Sequence, residues 1–141
     1  MQGATNEVIE YILDSDLREV DKIIKILEDV GAKCNLSDDD LGSCVISVSE
    51  AITNAIRHGN KESSDKKVHF KIIISIDDVE FIITDQGEGF LEHTVPNPLE
   101  EDNLLRDSGR GVLIIKTMMD DVIITPSSTG TTIRMKKVFK K

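Results

Sequence analysis

Glu50 and Asn54 lie one helical turn apart, a spacing that lets a carboxylate and a carboxamide hold one ligand between them. At about 100° per residue, their side chains point within about 40° of each other. We expect Ser43, Ser47 and Arg57 beside them on the polar side of a helix. The same spacing also fits an ordinary solvated helix face, so the interpretation depends on the rest of the chain.

The opposite side of this predicted helix is apolar and would face a core. Ser37 or Asp38 is suited to cap its N-terminus, and Gly59 to end it after His58. The apolar residues follow the i, i+3, i+4, i+7 spacing of a buried stripe at Leu41, Cys44, Val45, Val48, Ala51, Ile52, Ala55 and Ile56.

A second polar group follows a predicted buried strand, in the sequence Asp85-x-Gly87-x-Gly89. A carboxylate accepts hydrogen bonds, and two nearby glycines let backbone approach a flat ligand without interference from a Cβ. The amino group of adenine would suit such a carboxylate. The same pattern is also found in ordinary turns.

Gly109 and Gly111 stand directly before a predicted helix, whose free N–H groups and dipole would favour phosphates. The pattern is not a dinucleotide-binding fingerprint, because Ile114 occupies the place of the third glycine and no strand precedes Gly109. No G-x-x-x-x-G-K-[ST] sequence is present, which excludes a P-loop nucleotidase. A final pair, Thr131 and Thr132, follows Gly130, and either hydroxyl could bond a base or simply occupy a strand.

The order of these motifs resembles the N box and the three G boxes of the Bergerat-fold ATPases, which include gyrase and the histidine kinases. The resemblance covers roughly residues 37–136. Within that superfamily, the stretch S-E-A-I-T-N-A-I-R-H-G and the small size resemble the anti-sigma factor serine kinases of bacteria.

The resemblance implies a role for each matching residue. Glu50 would be the general base that takes a proton from a partner serine, and Asn54 would place its side-chain oxygen on Mg²⁺. Asp85 would hold the adenine amino group, and Thr131 would assist it, with Thr132 as a substitute. The remaining cofactor-binding expectations are Gly87 and Gly89 in the adenine pocket, Gly109 and Gly111 over the phosphates, and Arg57 and Arg110 as contacts to the nucleotide. Asp107 stands where related kinases often carry a basic residue, and Arg106 or Arg110 would compensate for it.

The implied function is an ATP- and Mg²⁺-dependent protein-serine kinase that binds a sigma factor or similar regulator and phosphorylates a small antagonist protein. Dimerisation is common in the resembled family. One alternative is a binding module that ATP gates without phosphoryl transfer. Another is the catalytic domain of a histidine kinase. Such a kinase needs a phosphoacceptor histidine on a dimerising helix, but His58, His69 and His93 lie within or beside the predicted ATPase core, so this domain would have to act in trans.

Composition sets the class of protein. A chain of 141 residues with 39% hydrophobic and 30% charged residues predicts a single globular domain over residues 1–141. A net charge of −9 opposes direct nucleic-acid binding, and apolar runs of about four or five residues are too short to span a membrane. The N-terminus lacks the apolar segment of a signal peptide. We therefore expect a cytoplasmic protein.

The predicted order is one strand, two helices, two strands, a polar lid over about residues 91–110, one helix and two strands. Asp16 and Glu19 form a capping box for the first helix, which Gly31 would end. The predicted strands cover residues 7–13, 68–76, 79–84, 122–125 and 131–139, and the helix over residues 112–119 would turn Val112, Leu113, Ile115 and Met119 inward. This order indicates an α+β fold. The resemblance specifies a two-layer Bergerat sandwich with a mixed, largely antiparallel sheet and the helices on one face.

Overall fold

Five strands form one sheet within residues 6–87 and 109–139, which the computed structural model describes. The strand order is β1-β2-β3-β5-β4, and each of the four neighbouring pairs is antiparallel. This confirms the α+β class, although the described sheet contains no parallel pair of the kind that a mixed sheet has. The elements are β1 (Glu7–Asp14), α1 (Glu19–Cys34), α2 (Asp38–Asn54), a π-helical turn (Ala55–Gly59), β2 (Lys67–Ile74), β3 (Asp78–Thr84), α3 (Gly109–Met118), β4 (Asp121–Ser127) and β5 (Gly130–Val138).

Alternate side chains of the central strands form the core on the side of the sheet that the helices cover. Phe70 of β2 and Phe81 of β3 are buried, and their rings stack with centroids 6.2 Å apart. The predicted period of two is therefore confirmed for these strands. It fails at Ile76, which is 60% exposed, because β2 ends at Ile74 and the Ser75 N–H bonds the carbonyl of Asp78 in the turn.

The predicted capping box of α1 is wrong. The helix begins at Glu19, and no side chain caps it. The Glu19 carboxylate instead accepts the N–H of Asp14, at 2.8 Å, because β1 ends directly above it. Ser15 donates its hydroxyl to the carbonyl of Lys66, at 2.6 Å, rather than to the helix. The residues between β1 and α1 thus tie the strand end to the start of β2.

The predicted end of α1 at Gly31 is also wrong. The helix continues to Cys34, and Asn35 ends it in the left-handed conformation, with φ 57°. Gly31 serves packing instead, because a Cβ on it would come within 2.8 Å of Leu41 Cδ1 on α2. A glycine here lets the two helices approach closely.

Helix α2 begins as the sequence indicates. The Ser37 side chain accepts the N–H of Asp40, at 3.1 Å. Cys44, Val48 and Ile52 lie in the core, and burial raises the pKa of the Cys44 thiol to about 12. This cysteine therefore stays a neutral, small hydrophobic group at any physiological pH. None of the helices in the described part of the chain combines the length and apolar character needed to cross a bilayer.

Helix α3 turns the predicted face inward except at Leu113. Ile115 is buried, and so is Met119 just after the helix, but Leu113 is 60% exposed. The error arose because Leu113 lies about 200° around the helix from Ile115, away from the layer beneath. Lys137 of β5 holds the far end of α3 by donating to the carbonyl of Met118, at 2.8 Å.

This placement predicts unequal effects of two truncations on one helix. Ile115→Ala should lower the free energy of unfolding by about 2–5 kcal/mol, because it opens a cavity in the core. Leu113→Ala should change it by no more than about 0.5 kcal/mol. Urea unfolding of both variants measures the difference. Equal losses would mean that α3 is rotated relative to this description.

Candidate functional site

Asp85 is a buried carboxylate between two neighbouring strands. It follows β3 directly and is only 8% exposed. Its N–H donates to the carbonyl of Thr131 at the start of β5, at 3.0 Å. Its Oδ1 accepts the N–H of Gly87, at 2.9 Å, and the N–H of Thr131, at 3.1 Å. Two backbone donors on one oxygen fix the orientation of the carboxylate.

The second oxygen, Oδ2, is available to a ligand. Among the described residues, no hydrogen bond or ion pair reaches Asp85 Oδ2. In a residue that is only 8% exposed, a donor from a ligand would stabilise such an acceptor oxygen. The exocyclic amino group of adenine is a donor of the right kind for this position, so the residues present fit the nucleotide that the sequence predicts.

Three glycines bring backbone against Asp85. A Cβ on Gly59 would overlap Asp85 Oδ2, and a Cβ on Gly87 would overlap the carbonyl oxygen of Gly59. Gly130 adopts φ 153°, and a Cβ there would overlap the carbonyl oxygen of Asp85. At Gly87 the close approach is to the backbone of Gly59, so the expected role of Gly87 in an adenine pocket stays a prediction. The roles of Gly59 and Gly130 were missed, because a glycine at a helix end or a hairpin tip already has a local explanation.

The alternation of β5 separates the two threonines. Thr132 bonds the hydroxyl of Thr84 across the sheet, at 3.1 Å, on the face away from the helices. Thr131 lies on the other face, which it shares with Asp85 and the core residue Met135. Of the two, only Thr131 is placed on the side of the sheet where Asp85 lies.

Glu50 and Asn54 lie on α2 where the first turn of α3 meets it. Both are half-buried. A Cβ on Gly111 would overlap Glu50 Oε2, so the backbone of α3 contacts the carboxylate directly. The N-terminus of a helix attracts negative charge, and Gly111 brings that end of α3 against the Glu50 carboxylate.

The expected neighbours of this pair are only partly present. Ser47 was predicted on the open polar side but is fully buried, and its hydroxyl has no hydrogen-bond partner within residues 6–87 and 111–139. The prediction failed because α3 covers this side of α2, whereas a helix-period argument assumes only one covered face. Ser43 is half-buried, and Arg57 is exposed on the π-helical turn.

Several predicted site residues lie outside the residues that the structure describes or at the edge of them. Gly89, His93 and most of the predicted lid, residues 91–108, lie outside the described residues. Gly109 and Arg110 belong to the first turn of α3 by their backbone, so the last two positions of the predicted lid are helical.

Asn60 was missed by the sequence analysis. It is 1% exposed, and its Oδ1 accepts the N–H of Gln86, at 2.7 Å. Its Nδ2 donates to Ser15 Oγ and to the carbonyl of Lys67, both at 2.9 Å. A signal was present in the sequence, since an amide directly after a helix-ending glycine is suited to bond loop backbone.

Comparison with known proteins places this arrangement among ATPases. Residues 13–137 match the family described as the histidine kinase-like ATPase domain. The serine-protein kinase RsbW of Staphylococcus epidermidis is 34% identical over 145 residues, covering 98% of this chain and 91% of that protein. The serine-protein kinase RsbW of Staphylococcus aureus is 31% identical over 144 residues, covering 96% and 89%.

Solved structures share the fold at lower identity. The RsbU and RsbW domains of a Mycobacterium tuberculosis protein align with a TM-score of 0.71 at 15% identity, over 96% of this chain and 33% of that one. A histidine kinase domain from Erythrobacter litoralis aligns with a TM-score of 0.55 at 14% identity, over 87% and 60%. These similarities support the arrangement of helices and strands described above.

The contact between Gly87 and Gly59 predicts a strong effect of one added methyl group. Gly87→Ala should lower the free energy of unfolding by about 1–3 kcal/mol, because neither backbone segment can move aside easily. Gly42→Ala is the matched control, since a Cβ there meets nothing within 4 Å. That variant should gain about 0.5–1 kcal/mol, because alanine favours a helix interior. A Gly87→Ala protein as stable as wild type in urea would contradict the described packing.

Proposed function

This chain belongs to the histidine kinase-like ATPase family, and we propose that it is an ATP- and Mg²⁺-dependent serine protein kinase of the RsbW type, acting as an anti-sigma factor. It would bind a sigma factor and phosphorylate a serine of a small antagonist protein. The observation that carries the proposal is that α2 and the turn after it connect the Glu50–Asn54 pair with Asp85. Helix α2 presents Glu50 and Asn54, and the turn that follows it packs on Asp85.

The adenine side of the site is built around Asp85. Its Oδ2 would accept the adenine amino group while Oδ1 stays bound to backbone N–H groups. We assign Gly87 and Gly89 to the loop beside the flat base, and the Thr131 side chain lies on the same face of the sheet as Asp85. This arrangement supports recognition of the base by a single fixed acceptor.

The phosphate side lies between α2 and the start of α3. The bound nucleotide supplies the phosphoryl group, and Mg²⁺ neutralises charge on its phosphates. Asn54 would give the metal its side-chain oxygen, a ligand type that Mg²⁺ accepts. Gly109 and Gly111 would offer backbone N–H groups at the N-terminus of α3. Arg57 and Arg110 are the cationic side chains that we assign to the nucleotide.

Glu50 would act as the general base. It lies one turn before Asn54, and therefore beside the proposed metal and phosphates. Its carboxylate would take the proton of a partner serine hydroxyl as that oxygen attacks the terminal phosphate. The backbone of Gly111 covers Oε2, so the partner has to reach Glu50 at the edge of the α2–α3 contact.

We place this activity in the cytoplasm, where a sigma factor works. Residues 1–141 would act as one ATPase domain with a lid at about residues 91–110. The net charge of −9 supports action on proteins rather than direct contact with nucleic acid.

We also propose a homodimer that forms through the face of the sheet opposite the helices, here called the outer face. Val8 and Ile12 of β1 and Ile123 of β4 lie on it with 53%, 67% and 51% exposure. Three charged pairs on it lie within the chain: Lys67 with Asp14, Lys71 with Glu10 and Arg134 with Glu80. These pairs reduce the unpaired charge that a second copy would meet on this face.

Glu50→Gln tests the kinase mechanism. It keeps the shape of the side chain and removes the base, so kcat for phosphorylation of the antagonist should fall by about 10²–10⁴. The dissociation constant for ATP and Mg²⁺ should change little. Glu28→Gln, an exposed change on α1, is the control and should keep full activity.

Two results would contradict this mechanism. Full transfer by Glu50→Gln would remove Glu50 as the base. A wild-type protein that binds ATP and both partners but transfers no phosphate would be an ATP-gated binding module instead. Labelled ATP with candidate antagonists from the same genome provides the assay.

Ile12→Lys tests the proposed dimer. A lysine buried in the proposed contact must lose its hydration, so the dissociation constant of the dimer should rise by roughly tenfold or more. Ile76→Lys is a matched control, because Ile76 is 60% exposed but lies in the β2–β3 turn. Sedimentation equilibrium measures both. A monomeric wild type, or equal weakening by both variants, would remove the outer face as the interface.

A further inference from the structure

We propose that Asn60 is a positioning residue for adenine recognition, because its side chain fixes the loop that orients Asp85. The inference rests on the proposed nucleotide site and adds a residue that does not itself touch the base. Asn60 is buried, and every strong hydrogen-bonding group of its amide is used. Asn60 would act on the proposed adenine pocket through its hydrogen bonds to backbone groups.

The direction of the Asn60 amide is fixed by its partners. The carbonyl of Lys67 can only accept, so it must face Nδ2 at 2.9 Å. The N–H of Gln86 can only donate, so it must face Oδ1 at 2.7 Å. Ser15 Oγ completes the set, and its own proton goes to the carbonyl of Lys66. A flipped amide would break both backbone bonds.

The bond to Gln86 reaches the carboxylate in one step. Gln86 is the residue between Asp85 and Gly87, and the Gly87 N–H holds Asp85 Oδ1 at 2.9 Å. The Gln86 side chain adds a second anchor by accepting the N–H of Lys67, at 2.5 Å. With the loop held at both points, the carboxylate keeps Oδ1 toward backbone and Oδ2 toward the ligand.

The π-helical turn puts Asn60 in this position. The Asn60 N–H bonds the carbonyl of Ala55, five residues back, at 2.8 Å. Such turns insert one extra residue and are frequent at functional sites. Lys61 and Glu62 then leave in the left-handed region, with φ 53° and 56°. Non-glycine residues rarely hold that conformation unless their surroundings impose it, which indicates a closely specified junction.

The test compares ATP with inosine triphosphate, whose base carries a carbonyl where adenine carries its amino group. Calorimetry well below the unfolding temperature measures both dissociation constants. Wild type should prefer ATP, because Asp85 Oδ2 repels a second acceptor. Asn60→Ala should weaken ATP binding roughly tenfold and change inosine triphosphate binding little, so the preference falls. In the kinase assay, KM for ATP should rise while kcat stays close to wild type.

Two further variants separate positioning from stability. Ser15→Ala removes one partner of Asn60 Nδ2 but leaves the bond to Gln86, so it should lower the melting temperature and keep the ATP preference. Asn60→Asp retains an oxygen for the Gln86 N–H but sets its second oxygen against the carbonyl of Lys67, so it should lower the melting temperature more than Ser15→Ala does while keeping more of the ATP preference than Asn60→Ala. If Asn60→Ala does not fold, Asn60→Ser carries the same comparison, because its hydroxyl is too short to span both backbone partners.

The inference is overturned if Asn60→Ala keeps the ATP preference, or if Ser15→Ala loses it to the same extent. A wild-type protein without a preference for ATP would overturn it as well, since no adenine recognition would exist to be positioned. Failure of the kinase proposal is a separate result. A wild type that prefers ATP but transfers no phosphate would leave the binding comparison intact.

Discussion

The buried carboxylate of Asp85 is the constraint on which the site depends. A carboxyl group at 8% exposure needs hydrogen-bond donors, and the chain supplies two backbone N–H groups to Oδ1. Those donors come from Gly87 and from Thr131, on separate segments. Holding both within reach of one oxygen requires β3, β5 and the turn after α2 to meet without side chains between them. The three glycines at that junction meet this steric requirement.

Local signals in the sequence predicted the elements that local physics determines. Ser37 caps α2, and the alternation in β2 and β3 locates the core face, because neither depends on distant residues. The predicted capping box of α1 is wrong for a tertiary reason. The Glu19 carboxylate accepts the N–H of Asp14 at the end of β1 rather than an N–H at the start of its own helix. The prediction that Leu113 faces inward is also wrong. A helix period shows that one face is covered but does not decide which of several apolar residues lies there.

The candidate site divides in the same way. The types of its residues are readable, because Glu50, Asn54 and Asp85 are polar groups at positions where polar groups require a reason. The residues that hold these side chains in place cannot be recognised from the sequence. Gly59 has a sufficient local role as a helix end, so nothing in the sequence indicates that its Cα also contacts a carboxylate. The Asn60 side chain has no partner within the five residues on either side that a motif would compare, and its hydrogen bonds reach residues as far away as Ser15 and Gln86.

These supports change the meaning of the α2 helix. Its polar residues do not form an open surface, because Ser47 is buried and Gly111 covers an oxygen of Glu50. The helix is instead held on both sides, by the core and by the first turn of α3. Its C-terminal turn is held by Asn60. Glu50, the proposed base, lies on this segment, and Asp85, the proposed acceptor of the adenine amino group, packs against the turn that ends it. One continuous segment therefore contacts or carries both groups. In the proposed site, a nucleotide whose base is held by Asp85 would have its phosphates near Asn54 and Glu50 with little freedom remaining, which is the entropic advantage that phosphoryl transfer by positioning requires.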